Sequence, residues 1–225
     1  MISILLATTG RPDMAEATVE GIIATTAGRD IEVVTAVDAD EETLGRFLRL
    51  DWQHVRWELT DSDELRGCSR AWNDALAAST GDPVVLAADD LYFEPGWLDA
   101  ALAKLEEFPE GWGMVGFNDG HWGPELSTHY LMSRRFVIEV LGGVVAWDCY
   151  GHSFNDTETN ERARRADRYA WAEDAHVRHA HWLFGDRDQD ETDTRGLVRH
   201  AASQATFDRR SAEGFPDDQE AVIVK

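Results

Sequence analysis

The feature that most constrains this chain is the regular alternation of short apolar runs with amphipathic stretches in its first half. Residues 2–7 and 31–37 read as buried strands, 54–59 as a strand with Val55, Trp57 and Leu59 alternating, and 83–87 as a fourth strand. Helical stretches separate them. Pro12 opens one at its first turn, running to about residue 26 with Met14, Ala17, Ile22 and Ile23 apolar. Others cover residues 41–50 and 69–79, and Pro95 opens one that runs to about residue 107. A β-α-β-α-β-α-β order implies a mostly parallel sheet with helices on both faces. Such sheets bind ligands beyond the carboxyl ends of their strands. The informative residues should therefore follow the strands. Thr8-Thr9-Gly10-Arg11 follows the first, Asp38-Ala39-Asp40 the second and Asp89-Asp90 the fourth.

The second half is less regular. Residues 126–132 read as a strand, 135–141 and 155–168 as helices, and 175–182 as a strand. An acidic loop over 186–193 reads as solvated, and a last helix covers 195–210. With 225 residues, one α/β domain is expected over 1–213, with the regular half over 1–107 and the irregular half over 108–213. Residues 214–225 read as a loosely held tail.

Charge narrows the partners. The net charge is −22, which repels phosphate backbones, so tight unassisted binding to duplex DNA is disfavoured. The same charge favours a divalent cation that bridges the protein to an anionic ligand. Cys68 and Cys149 are the only cysteines and form no CxxC, which reads as reduced thiols in a cytoplasmic protein. No apolar run approaches a membrane span, and residues 2–7 are too short for a signal-peptide core. Nine tryptophans are many for this length, and some of them are expected to line a ligand cleft rather than the core.

The adjacent carboxylates Asp89 and Asp90 repel each other unless a cation or proton relieves them. Manganese or magnesium on such a pair would hold a diphosphate; the plainer reading is a turn cap beside a solvated carboxylate. In a strand, His179 and His181 point to one face, a spacing that suits a metal but in isolation more often marks one core and one solvated histidine. With the carboxylate pair elsewhere in the chain, one of the two histidines is favoured as a ligand. Asp156 opens a helix and is a cap or a general base. Asp38 and Asp40 accept from a nucleoside or end a strand, Arg11 pairs with phosphate or with an aspartate, and Asn73 backs the cleft or faces water. Arg162, Arg164 and Arg165 read as a salt-bridged exposed face.

Taken in order, these segments resemble the family 2 glycosyltransferases, which have the GT-A fold. Residues 3–12 resemble the opening strand and loop, Val37-Asp38-Ala39-Asp40 the nucleobase-binding loop, and Gly67-Cys68-Ser69-Arg70-Ala71-Trp72-Asn73 the start of the following helix. In that helix Asn73 matches the pattern and Trp72 replaces an arginine. Ala88-Asp89-Asp90-Leu91, followed by Pro95 and Leu98, resembles the DxD segment, with Ala88 standing where its first aspartate belongs. Asn155-Asp156 with Arg162 resembles the helix that carries the catalytic base. Residues 177–181 and Phe207-Asp208-Arg209-Arg210 resemble a compact subgroup common in phage genomes.

The resemblance implies an inverting transfer from a nucleotide-diphosphate sugar, UDP-sugars favoured, to a hydroxyl on a glycan, protein, small molecule or modified nucleobase. It implies Mn2+ or Mg2+ held by Asp90 with His179 or His181. Thr8, Thr9, Gly10, Arg11, Asp38, Asn73 and Asp89 would face the nucleotide, Asp156 would be the base, and Trp122, Trp147 or Trp171 would stack on a sugar ring. By the same resemblance residues 1–107 would be the nucleotide-binding half and 108–213 the acceptor or catalytic half. Two other readings compete: a nucleotide- or carbohydrate-binding module without catalysis, for which Ala88 speaks, and a zinc hydrolase built on His179, His181 and Asp89.

Overall fold

The computed structural model describes residues 1–50, 52 and 56–223, so His54 and Val55 of the expected third strand lie outside the described residues. Chain order is β1 (Ile2–Thr8), α1 (Pro12–Thr25), β2 (Ile31–Asp38), α2 (Glu41–Phe47), β3 (Arg56–Ser62), α3 (Cys68–Ala78), β4 (Val84–Ala88), β5 (Leu91–Phe93), α4 (Trp97–Glu106), β6 (Met114–Asn118), β7 (Tyr130–Met132), α5 (Arg134–Glu139), α6 (Asn155–Arg165), β8 (Tyr169–His179) and α7 (Glu191–Ala212). The strands form one eight-stranded sheet in the order β3-β2-β1-β4-β7-β6-β8-β5. The first four are mutually parallel; β7 runs against both β4 and β6, β6 is parallel to β8, and β5 is antiparallel to β8.

Both faces are covered, which is why β1 and β2 have no exposed residue and are mostly apolar. Ile4 and Leu6 of β1 join Val19, Ile22 and Trp97 in one core layer, while Leu5 and Ala7 join Leu76, Phe136 and Trp147 in the other. Alternation of side chains along the strand makes this division. At the amino ends of these strands, away from the site, Glu32 is fully buried and accepts from Ser3 Oγ at 2.6 Å and Gly81 N at 2.9 Å. Among the described residues no helix is long and apolar enough to cross a membrane.

Several sequence expectations are corrected here. The strand expected over 175–182 begins earlier, at Tyr169, and ends at His179, because β6 pairs along its first residues. His181 lies past the strand and caps a 3-10 turn, its Nδ1 accepting from Leu183 N at 3.2 Å. The last helix starts at Glu191 rather than 195, since Asp190 and Asp193 form a capping box. The tail is not loose as far as residue 223. Phe215 is 4% exposed, its carbonyl accepts from Arg162 Nη2 at 2.7 Å, and the amides of Val222 and Ile223 bond the carbonyl of Gly143. Arg162 correspondingly faces inward, stacked over Trp147, while Arg164 and Arg165 are exposed.

Candidate active site

The loops after β1, β2 and β4 converge as doubly wound topology requires, and a cavity of about 460 Å3 opens above them. Thr8, Thr9, Arg11, Asp38, Asp89, Asp90, Asp156, His179 and His181 all line it. Asn73 does not: it is buried behind the wall, giving its side-chain amide to Ala146 O at 2.8 Å and accepting from Val145 N at 3.0 Å. Gly10 stands at the rim, its N–H donating to Asp40 Oδ2 at 2.7 Å. Asp40 also caps α2 through Thr43 N at 3.1 Å, so its carboxylate belongs to the loop scaffold. Asp38 accepts from the backbone amides of Arg66 and Gly67 at 2.9 and 2.6 Å and thereby ties β2 to the start of α3.

Sheet register explains the central pair. After β4 the chain turns at Asp89 and Asp90 straight into β5, which pairs with the end of β8 so that Leu91 faces His179. Ala180 N then bonds Asp90 O at 2.9 Å, and His179 Nε2 comes to 3.4 Å from Asp90 Oδ1. His179 Nδ1 is buried and has no hydrogen-bond partner among the described residues. His129 and His181 stand edge-on to the His179 ring at 5.0 and 4.9 Å.

The two aspartates are unequal. Burial and the neighbouring Asp90 charge push Asp89 up to about 6, against the opposing pull of Arg11 and Thr8. Asp90 is buried too, yet His179 and Arg11 hold it far below the usual carboxylate range. Burial pulls His179 down, but Asp90 outweighs that and its pKa rises. His129 is pushed down to about 3 by burial and by the charge of His179, so it stays neutral. The metal question is therefore concrete. Oxygen and imidazole nitrogen 3.4 Å apart match two ligands of one manganese or magnesium ion, and neighbouring His181 can approach it. Among the described residues no three histidine, cysteine or acidic side chains are grouped to hold an ion. A metal here would depend on substrate oxygens to complete its shell, the usual habit of magnesium with phosphates.

Arg11 is nearly buried and is surrounded by carboxylates: Asp89 at 3.0 Å, Asp90 at 3.3 Å, Asp190 at 2.7 Å and Asp193 at 2.6 Å. Arg187 adds bonds to Asp193 and reaches Asp90 at 3.5 Å. The acidic loop expected to be solvated is thus clamped onto the β1 loop through Arg11.

Asp156 sits in the second residue of α6, after Phe154, whose left-handed backbone (φ 77°) turns the chain into the cavity. Phe154, not Asp156, is the N-cap residue. One oxygen of Asp156 accepts from Thr157 N at 2.8 Å; the other takes no hydrogen bond from the described residues. Burial raises its pKa. Of the three tryptophans singled out, Trp122 lines the cavity, Trp147 is core, and Trp171 gives its N–H to Phe117 O at 3.3 Å. Sequence reasoning missed His129, Trp72, Trp182 and the cavity wall formed by α7.

Curled mixed sheet, strand-end cavity and paired acids define a GT-A-type α/β protein. The chain belongs to Glycosyl transferase family 2, whose pattern matches residues 3–154. Among solved structures it resembles a mannosyltransferase from Pyrobaculum calidifontis determined with GDP-Man and Mn2+, with TM-score 0.71 and 19% identity over 98% of this chain and 65% of that one. It also resembles TarS of S. aureus, residues 1–349, with TM-score 0.64 and 14% identity over 95% and 74% of the two chains. TarS 1–349 with UDP-GlcNAc aligns at TM-score 0.62 and 12% identity, over 94% and 72%. The chain spans just under two thirds of the mannosyltransferase's length. No curated protein sequence matches it.

Proposed function

We propose that this protein transfers a sugar from a nucleotide-diphosphate donor to a hydroxyl acceptor, with inversion, and that it uses a divalent metal. One observation carries the reading: the Asp90–His179 pair and Asp156, one of whose oxygens takes no hydrogen bond from the described residues, line the same cavity. Manganese or magnesium bound at Asp90 and His179 would neutralise charge on the leaving diphosphate. Asp156 accepts the proton of the acceptor hydroxyl as that oxygen attacks the anomeric carbon from the face opposite the diphosphate. Burial raises its pKa above the ordinary aspartate value, which makes it a stronger base. Asp38, Thr8 and Thr9 line the nucleoside end, and Trp122 offers an indole face to a sugar ring.

The preference for a uridine donor rests on the sequence resemblance. Solved relatives were captured with GDP-Man and with UDP-GlcNAc, and both classes belong in the test. A binding module without turnover is the second reading, favoured by Ala88, which lines the cavity at the end of β4 with no carboxylate of its own. A zinc hydrolase of the usual kind needs three protein ligands, and that set is not grouped among the described residues.

The deciding experiment is a thermal-shift and calorimetry panel of UDP- and GDP-sugars, each with and without Mn2+, followed by acceptor trials. A donor present at about 100 times its Kd should stabilise the fold by roughly 2.7 kcal/mol, and more tightly with metal. No response to any nucleoside diphosphate would sink the proposal; binding without turnover on any acceptor would leave the module reading.

A further inference from the structure

The charge around the cavity points to a task for the last helix. The walls carry the carboxylates of Asp38, Asp89, Asp90, Asp156 and Asp193 against three guanidinium groups, those of Arg11, Arg195 and Arg199. A nucleoside diphosphate adds at least two further negative charges, and the whole chain has 21 lysines and arginines against 43 acidic residues. A divalent ion at Asp90 and His179 would offset only part of that charge. Arg11 cannot supply the rest, because its donors are spent on four aspartates.

Arg195 and Arg199 differ from it. They lie one turn apart on α7, both at the cavity, and among the described residues neither forms an ion pair with a carboxylate. Arg195 Nη2 donates to Thr192 Oγ1 at 2.9 Å, and Arg199 Nη1 to Gly151 O at 3.3 Å. Each guanidinium hangs over a glycine of the nucleotide half. Arg195 Nη2 lies 3.3 Å from where a Cβ on Gly10 would stand, and Arg199 Nη1 lies 3.8 Å from that point on Gly67. Gly10 ends the β1 loop, and Gly67 is the residue bonded to Asp38.

The helix that presents them is fixed in place. Its first turn is closed by the Asp190–Asp193 capping box and clamped by Arg11, and Gly196 lies so near the His152 ring that an added Cβ would stand 2.6 Å from it. The two arginines are therefore held at a set height above the strand ends.

We propose that Arg195 and Arg199 form an anion site for the donor diphosphate, so that α7 supplies positive charge beyond what a metal at Asp90 and His179 would bring. The inference rests on the nucleotide-diphosphate donor proposed above. Guanidinium is the suitable group, since it offers paired donors to phosphate oxygens and keeps its charge.

The test is calorimetry of UDP, UMP and uridine, and of GDP in parallel, with Mn2+ present, on the full chain and on Arg195→Gln, Arg199→Gln and the double variant. Charge-assisted hydrogen bonds predict a loss of about tenfold in diphosphate affinity for each single variant and about a hundredfold for the double one, with a shallower salt dependence. Uridine affinity should not change, and Arg195→Lys with Arg199→Lys should recover part of the loss. Far-UV circular dichroism and thermal midpoints confirm that each variant is folded; the lysine pair preserves a charged comparison should a glutamine variant fail to fold. Unchanged UDP or GDP affinity in the double variant, with the parent binding normally, overturns the inference, as does an equal loss for uridine. If the parent protein binds neither UDP nor GDP, the donor reading itself falls, a result distinct from either of these.

Discussion

Glu158 and Arg210 meet with neither side chain touching water: Arg210 Nε donates to Oε2 at 2.8 Å and Nη2 to Oε1 at 2.9 Å. Arg162 Nε adds a bond to Oε1 at 3.0 Å, and Tyr150 OH one to Oε2 at 2.6 Å. One carboxylate thus joins α6, which carries Asp156, to α7, which carries Arg195 and Arg199. A buried pair loses far more when one partner is removed than it contributes as a pair, because the remaining charge keeps its desolvation cost. Glu158→Gln should therefore destabilise the protein by about 3–5 kcal/mol in urea unfolding. A change below about 1 kcal/mol would mean that the two helices are held by their apolar contacts instead.

Asp156→Asn should remove transfer while leaving donor affinity intact, since Asp156 has no part in gripping the diphosphate. Loss of general-base assistance predicts a fall in kcat of about 100- to 10,000-fold. Normal turnover in this variant would remove Asp156 from the mechanism.

The same carboxyl makes a prediction about pH with a definite sign. Its pKa in the folded protein is raised by burial, so the acid limb of kcat should centre above the ordinary aspartate value of 3.8. In stability the raised pKa acts in the opposite direction. Between the unfolded and folded pKa values the native state binds more protons, so this group makes the fold less stable as pH rises through that window. Asp156→Asn should then be no less stable than the parent at pH 7 and should lose its relative advantage near pH 4, as denaturant titrations at both values would show. A variant markedly less stable at pH 7 would contradict the burial cost assigned to this carboxylate.

Much of residues 1–107 was legible in the sequence because a parallel strand covered on both faces must be largely apolar, and residues 2–7 and 31–37 are, apart from Ser3, Glu32 and Thr35. The loops after those strands followed from topology, which is why Thr8, Arg11, Asp38, Asp89 and Asp90 were found and do line one cavity. What was hidden depends on long-range pairing. Three-residue β5 has no periodicity to detect, yet its pairing with β8 is what sets His179 beside Asp90. His129 is isolated in sequence and reaches the site only because β7 runs between β4 and β6. The loop over 186–193 looked solvated because nothing local shows that Arg11, almost the whole chain away, neutralises Asp190 and Asp193. Asn73 was assigned to the nucleotide by resemblance, whereas its amide is occupied by backbone groups of residues 145 and 146.

Tail packing gives a prediction separate from chemistry. Phe215 fills a site against Phe207, with Arg165 stacked on its ring at 4.6 Å. Phe215→Ala should cost about 3–5 kcal/mol, as for other large-to-small changes in packed sites. A thermal midpoint within a degree or two of the parent would show that residues 214–223 contribute little to stability.

The metal pair can be tested apart from catalysis. His179→Ala deletes a ring whose Nδ1 has no hydrogen-bond partner among the described residues and whose Nε2 lies 3.4 Å from Asp90 Oδ1. The variant therefore loses one candidate ligand and leaves Asp90 with Arg11 and Arg187 as its charged partners. Asp90→Asn keeps the shape and removes the charge. Both should abolish the increase in UDP affinity that Mn2+ brings, while affinity measured in chelator stays within a few-fold of the parent. Arg11 and Arg187 also contact Asp90, so the asparagine variant frees part of each guanidinium, and its metal-free affinity for UDP should be the higher of the two. Calorimetric titrations with Mn2+ and with EDTA decide the matter. If the Mn2+ effect survives in both variants, the ion binds elsewhere, and the Asp90–His179 contact is a structural ion pair of the β5–β8 junction.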